Sequence, residues 1–402
     1  MTTFEQHVRA RTPTGEEIDH FLDPEKLSWG QFDPEVGYIL GNYLPQDGID
    51  DSATINTVQK NGTRSGALYT DRPRRINTYG NSFTQGAQVS DEETWQEYLA
   101  AHLGEPIGNY GVGGFGVYQA YRRLRRAEVT DEGAEYVILY IWGDDHQRSF
   151  LRCRRISYPI QRSPVPAMFE GNFWAHIEMD MEKGHLIEKE ALLQTPESLY
   201  NMTDPDFMYE ALKDDLMLQM TLFCRDLIQE IDIKPLTVLA EILGFSPDVP
   251  DQSEQQRQWI ENLRHTYAFA GTRYIIEQAL AFTQHRDKKL MIALYCPGAT
   301  RQLISTGERY DQPIVDYLRD NQILYFDMNC VHTKDYKCFN LSLDDYMARY
   351  HIGHYSPTGN HFFAHSIKNP IIEWLSPKPI TYRDDKNAMT DFRDYLPALN
   401  KS

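Results

Sequence analysis

The sequence has no run of about 18 apolar residues, the length a membrane-spanning helix needs. No membrane span is therefore expected. Positive charge is short: 40 Lys+Arg stand against 58 Asp+Glu, a formal net charge of −18. Nucleic-acid binding and attachment to anionic lipid both call for a basic face, so neither is expected. The one basic run, Arg122, Arg123, Arg125 and Arg126, is expected on a solvated helix face. Cysteine is scarce, odd in number and scattered (Cys153, Cys224, Cys296, Cys330, Cys338), with no CxxC pair. Such usage points to reduced thiols in a cytoplasmic protein. Residues 1–21 lack an apolar core of the secretory kind, so no cleaved signal is expected. Internal repeats and low-complexity tracts are also missing.

What is present is material for a large core: 41% apolar and 12% aromatic residues over 402 positions. That length suits two or three domains, or one elaborated α/β domain. Residues 1–70 are rich in Gly, Pro, Asp and Asn and read as an irregular lead-in. From 71 to 149, short apolar runs alternate with helical patterns. Arg75 to Tyr79 and Pro106 to Asn109 are strand candidates. Ser90-Asp91-Glu92-Glu93 is a capping box that opens a helix ending at Gly104. Tyr136 to Trp142 suits a strand buried on both faces of a parallel sheet. Residues 150–262 break the alternation and read as a largely helical insertion, with a long helix from Phe207 to Ile231. Its apolar face could wall a pocket or serve a homo-oligomer. The alternation resumes over 263–402, with strands at Leu290 to Tyr295 and Ile323 to Phe326. A last helix starts near Asn360, which Pro370 is expected to break or kink. Such alternation gives a mostly parallel sheet with right-handed crossovers.

In open α/β sheets, function gathers at the carboxyl ends of strands. Three polar or glycine-rich blocks fall there, and a fourth lies at the loop-to-helix junction just before the last helix. Gly80-Asn81-Ser82 follows the first strand; its serine is either a helix cap or, with a base nearby, a nucleophile. Gly111-Val112-Gly113-Gly114-Phe115-Gly116 follows the second and lets backbone N–H groups approach a ligand. Its glycines at 111, 113 and 116 have the dinucleotide GxGxxG spacing, but the first strand carries the Ser block instead and no ribose-binding acid fits, so a dinucleotide is not expected. Gly143-Asp144-Asp145-His146-Gln147-Arg148 follows the third. Adjacent carboxylates there need a positive partner, such as Arg148 or His146, or a shared proton. The fourth block holds four histidines in fifteen residues: His351, His354, His361 and His365.

In order and spacing these blocks resemble the SGNH (GDSL-type) hydrolase family. The resemblance covers roughly residues 33–149 and 265–375, including a lead-in at Asp33 to Tyr38. It implies a flavodoxin-like three-layer sandwich with a mostly parallel sheet. It also implies that Ser82 is the nucleophile and His354 its general base. The N–H groups of Ser82 and Gly114 would serve the oxyanion, with a third donor from the position of Asp144. Asn81 would support the turn, and Arg148 and His351 are the other polar residues expected at the substrate. The implied reaction is hydrolysis of a small O-acylated substrate, with no metal and no cofactor.

Three positions depart from that pattern. Asn81 stands where the family has Asp. Asp144 replaces an oxyanion-binding Asn, and an ionised carboxylate only accepts hydrogen bonds. His351 occupies the place of the acid three residues before the catalytic His. Asp144 or Asp145 is accordingly expected to orient His354, with a Ser–His dyad as the fallback. Competing readings are an O-acyltransferase on the same dyad, a metal-dependent hydrolase or lyase using His351, His354, His361, Asp144 and Asp145, and a non-catalytic binding protein. Phe169, Phe173 and Trp174 are candidate pocket walls, although burial in the core is the plainer reading. Arg152, Arg154 and Arg155 could hold an anionic group, or lie on a solvated surface.

Overall fold

The runs of β-branched and aromatic residues do form strands. The computed structural model describes residues 2–41, 43–157 and 172–383. In chain order its strands are β1 (Gly30–Asp33), β2 (Gly37–Leu40), β3 (Ile76–Tyr79), β4 (Ile107–Asn109), β5 (Tyr136–Ile141), β6 (His176–Asp180), β7 (His185–Lys189), β8 (Lys289–Leu294) and β9 (Tyr325–Asp327). β1–β2 and β6–β7 are antiparallel hairpins. The other five make one parallel sheet in the order β4-β3-β5-β8-β9. The chain steps from β3 out to β4, then reverses to β5 on the other side. In an open parallel sheet such a reversal opens a crevice at the carboxyl ends of the two strands flanking it. Here those strands are β3 and β5.

The period of two along each strand divides the core between two faces. Val137, Leu139 and Ile141 of β5 join Leu290, Ile292 and Leu294 of β8 on one side. Helices Val117–Ala127 and Ser253–His285 close that side with Leu124, Leu263 and Ile275. Tyr136, Ile138 and Tyr140 join Met291, Ala293 and Tyr295 on the other. Helices Trp95–Leu103 and Pro357–Trp374 cover it with Leu99, Phe363 and Ile367. All six residues of β5 are buried, which is why its sequence is continuously apolar.

Several local expectations change. The lead-in is more regular than its composition suggests: helices Phe4–Arg9 and Gly15–Leu22 each carry a Thr-based capping box. The Ser90 box closes a 3₁₀ turn, Asp91–Glu93, and Thr94 caps the helix that follows. The helix expected from Phe207 to Ile231 is two, Pro205–Leu212 and Leu216–Cys224. Buried Asp215 divides them by accepting from Leu218 N–H at 2.9 Å, restarting the chain. The insertion also contains the β6–β7 hairpin, turned at Gly184 with φ +69°. One helix, Ser253–His285, runs across the boundary expected at 262/263. Pro370 does not end the last helix, which continues to Trp374.

The arginine run is solvated only in part: Arg126 is exposed and Arg125 half-buried, but the first two arginines are not on the surface. Arg122 and Arg123 are 5% and 2% exposed. Arg122 pairs with Glu35 and Glu190, and Arg126 with Asp33. Arg123 stacks over the Tyr110 ring, and burial pushes its guanidinium down to about 10. The acidic partners come from the lead-in and the insertion, so a reading of the helix by itself could not find them. Among the described residues, no helix is long and apolar enough to cross a membrane.

Candidate active site

At the end of β3 the chain turns into a four-residue helix, Ser82–Gln85. Its N-cap Asn81 accepts from Phe83 N–H at 2.8 Å. Ser82 is therefore the first helical residue at the edge of the crevice. The other face of the Asn81 amide donates to Asp145 Oδ2 at 2.5 Å. Asp145 also accepts from Trp142 N–H at 2.9 Å and from the Arg148 guanidinium at 3.0 Å. The third block thus braces the first from behind.

His354 comes from the far end of the chain, just before the helix capped by Ser356. Its Nε2 stands 2.8 Å from Ser82 Oγ. Its Nδ1 stands 2.9 Å from Gln88 Oε1, which also accepts from the His354 backbone N–H at 2.6 Å. Gln88 Nε2 donates to Asp47 O at 2.9 Å, which fixes the amide with its oxygen toward the imidazole. An acceptor at Nδ1 places the proton there and leaves the Nε2 lone pair for the serine hydroxyl. Gln88 is held at φ +69°, a backbone conformation few non-glycine residues adopt. Gly353, at φ +114°, lets it in: a Cβ there would lie 2.5 Å from Gln88 Oε1.

The orienting residue is therefore Gln88, and neither Asp144 nor Asp145 takes that place. Asp145 is spent on Asn81, Trp142 N–H and Arg148. Asp144 lies 3.9 Å from Arg148 and 3.8 Å from Arg225. Although burial raises the Asp144 carboxyl, Arg148, Arg225 and neighbouring arginines bring it below its ordinary value, so it is ionised. Burial pushes the Asp145 carboxyl up to about 7 against the pull of Arg148. Burial, helped by the Arg148 charge, depresses the His354 imidazole to about 4.

The glycine block lies against the Ser82 turn. Gly113 N–H donates to Gln85 Oε1, and Gly113 O accepts from Tyr38 OH, each at 2.9 Å. Gly114 has φ +80°. Among the described residues neither Ser82 N–H nor Gly114 N–H donates a hydrogen bond. At Gly111 a Cβ would meet Gln85 N at 2.1 Å and the Thr84 carbonyl carbon at 2.5 Å, both backbone atoms that cannot swing aside. Gly111→Ala is expected to cost about 1–3 kcal/mol, read as a lower urea midpoint at unchanged slope. It should also displace the serine turn.

His351 is directed elsewhere. Its ring bonds Tyr295 OH at 2.5 Å and Met347 O at 2.9 Å. His361 is exposed and packs edge-on against Tyr98. Among the described residues no three His, Cys, Asp or Glu side chains are grouped to hold a metal ion. Phe173 and Trp174 belong to the core, and Phe169 lies outside the described residues. Arg152 pairs with Glu178 and Arg155 with Glu17.

Below the His354 loop, His332 is fully buried between Tyr346 OH at 3.0 Å and Tyr355 OH at 2.9 Å. Burial pushes its imidazole down to about 3. The unfolded chain then binds a proton near pH 6.5 that the folded chain refuses. The His332 contribution is intact above pH 6.5 and is lost as the pH falls toward 3. His332→Gln should make the fall in unfolding free energy over that window shallower by about 1.4 kcal/mol per pH unit. Chemical denaturation at several pH values measures this, and parallel curves would refute it.

No protein-family model matches the chain, and no curated protein matches it significantly.

Proposed function

We propose that this chain is a serine hydrolase of the SGNH type, with the flavodoxin-like architecture of that family, acting on a small O-acylated substrate. The observation that carries the reading is the contact of His354 Nε2 with Ser82 Oγ at 2.8 Å, with Nδ1 held by Gln88. The sheet order and the reversal between β3 and β5 support it by placing that pair at the crevice.

In this mechanism Ser82 Oγ attacks the ester carbonyl carbon while its proton passes to His354 Nε2. The negative charge on the carbonyl oxygen falls to the N–H groups of Ser82 and Gly114. Asp144, being ionised, cannot serve as a third donor. The intermediate collapses to acyl-Ser82, and the departing alkoxide takes the proton from His354. Water then repeats the sequence: its proton goes to His354, its oxygen to the acyl carbon, and the Ser82 oxygen is reprotonated. Reaction with a fluorophosphonate, followed by peptide mapping, tests the assignment. A single adduct on Ser82 is expected, and an unlabelled Ser82 would count against the mechanism.

A further inference from the structure

Arg148 is 7% exposed, is linked through Asp145 to Asn81 next to the nucleophile, and lies near enough to His354 for its charge to act on the imidazole. Its NH1 is bound to Asp145 Oδ1 at 3.0 Å. Its Nε is buried with no hydrogen-bond partner among the described residues. Its NH2 reaches Asp144 Oδ2 only at 3.9 Å, too far for a hydrogen bond. The Nε–NH2 edge is the side of a guanidinium that takes a carboxylate in two parallel bonds. The guanidinium lies over the Trp142 ring, 5.4 Å from its centroid, and the indole Nε1 is a second buried donor without a partner. Trp142 in turn stacks on Phe83, the residue after the nucleophile, at 5.8 Å. Two buried N–H donors left over in one place create a demand for an acceptor, because unpaired buried donors are costly. Asp144 is the anion facing the same group. It is shared with Arg225 at 3.8 Å and takes no N–H from Arg148.

We propose that the substrate is an ester carrying a carboxylate within a few bonds of its scissile carbonyl, and that Arg148, flanked by Trp142, holds that carboxylate. This rests on the serine-hydrolase reading of Ser82 and His354. It assigns Arg148 to specificity through the Nε–NH2 edge that its ion pair with Asp145 leaves over.

The test measures binding without turnover. In Ser82→Ala protein, calorimetry compares monoethyl glutarate with ethyl pentanoate, a neutral ester of similar shape. The anionic ester should bind at least about tenfold more tightly. Adding Arg148→Gln should bring the ratio to about one, and Arg148→Lys, which keeps the charge but loses the fork, should leave a reduced preference. Equal affinity for the two esters, binding of neither, or a preference unchanged by Arg148→Gln each overturns the proposal. Should Arg148→Gln fail the melting check for folding, the ratio in the parent and in Arg148→Lys decides. Failure of Ser82 to react with the fluorophosphonate would instead sink the hydrolase reading, and the binding ratio would still be measurable.

Discussion

Ser82→Ala is expected to bring hydrolysis of p-nitrophenyl acetate to the uncatalysed background, a loss of about 10³-fold or more. The argument is geometric. The Ser82 hydroxyl stands against the His354 imidazole, its hydrogen-bond partner among the described residues. His354→Ala removes the base and should cost about 10²–10⁴-fold. The double variant should be no worse than Ser82→Ala, because the two groups act as one unit and their losses do not add. Stability separates this from a folding defect. Ser82→Ala forfeits one hydrogen bond, about 1 kcal/mol, so its melting temperature should stay near that of the parent while turnover disappears. Undiminished turnover in Ser82→Ala would falsify the acyl-enzyme route.

Part of this site was legible in the sequence because it follows strand ends. A continuous apolar run such as Tyr136 to Trp142 marks a central strand, and whatever follows it lands at the sheet's carboxyl edge. That is how Ser82, Gly114, Asp144 and Asp145 could be placed together, with His354 supplied by the last junction. The residue contacting His354 Nδ1 could not be found that way. Gln88 is uncharged, sits in an ordinary loop sequence, and acquires its role from a left-handed backbone conformation and from an opening at Gly353, 265 residues away. Neither carries a periodic signal. Asp144 and Asp145 are the conspicuous candidates for the missing acid because they are charged, but Asp144 faces Arg148 and Arg225 and Asp145 is engaged elsewhere. Its lone pairs are consumed locally by Asn81, Trp142 N–H and Arg148. The first half of the arginine run departs from a solvated face for a related reason. Burial of Arg122 and Arg123 depends on Glu35, Glu190 and Tyr110, partners that only the tertiary path brings near.

Gln88 makes the second large prediction, and its two substitutions should act in opposite directions. Gln88→Ala removes the acceptor for both the ring and the backbone N–H of His354. The imidazole then loses its preferred tautomer and its orientation, and kcat should fall by about 10²-fold, less than the 10⁴ seen when an acid is replaced in a full triad. Gln88→Glu puts a carboxylate against Nδ1 and favours the imidazolium. His354 must be neutral to accept the serine proton, so activity is present above its pKa and lost as the pH falls through it. In the parent the acidic limb of kcat/KM should lie near pH 4, where burial and Arg148 hold the imidazole. In Gln88→Glu it should move up by about 1–3 units, the effect of an opposite charge at contact distance. The variant should therefore be slower than the parent at pH 5, and as fast or faster at pH 8, where both imidazoles are neutral and its base is stronger. The exchange also turns a carboxylate oxygen toward Asp47 O in place of Nε2–H, costing about 1–3 kcal/mol of stability. That loss lowers the melting temperature but cannot move the limb. Profiles of kcat/KM from pH 4 to 9 for the three proteins measure it. A limb that stays put in Gln88→Glu, together with undiminished kcat in Gln88→Ala, would remove Gln88 from the mechanism.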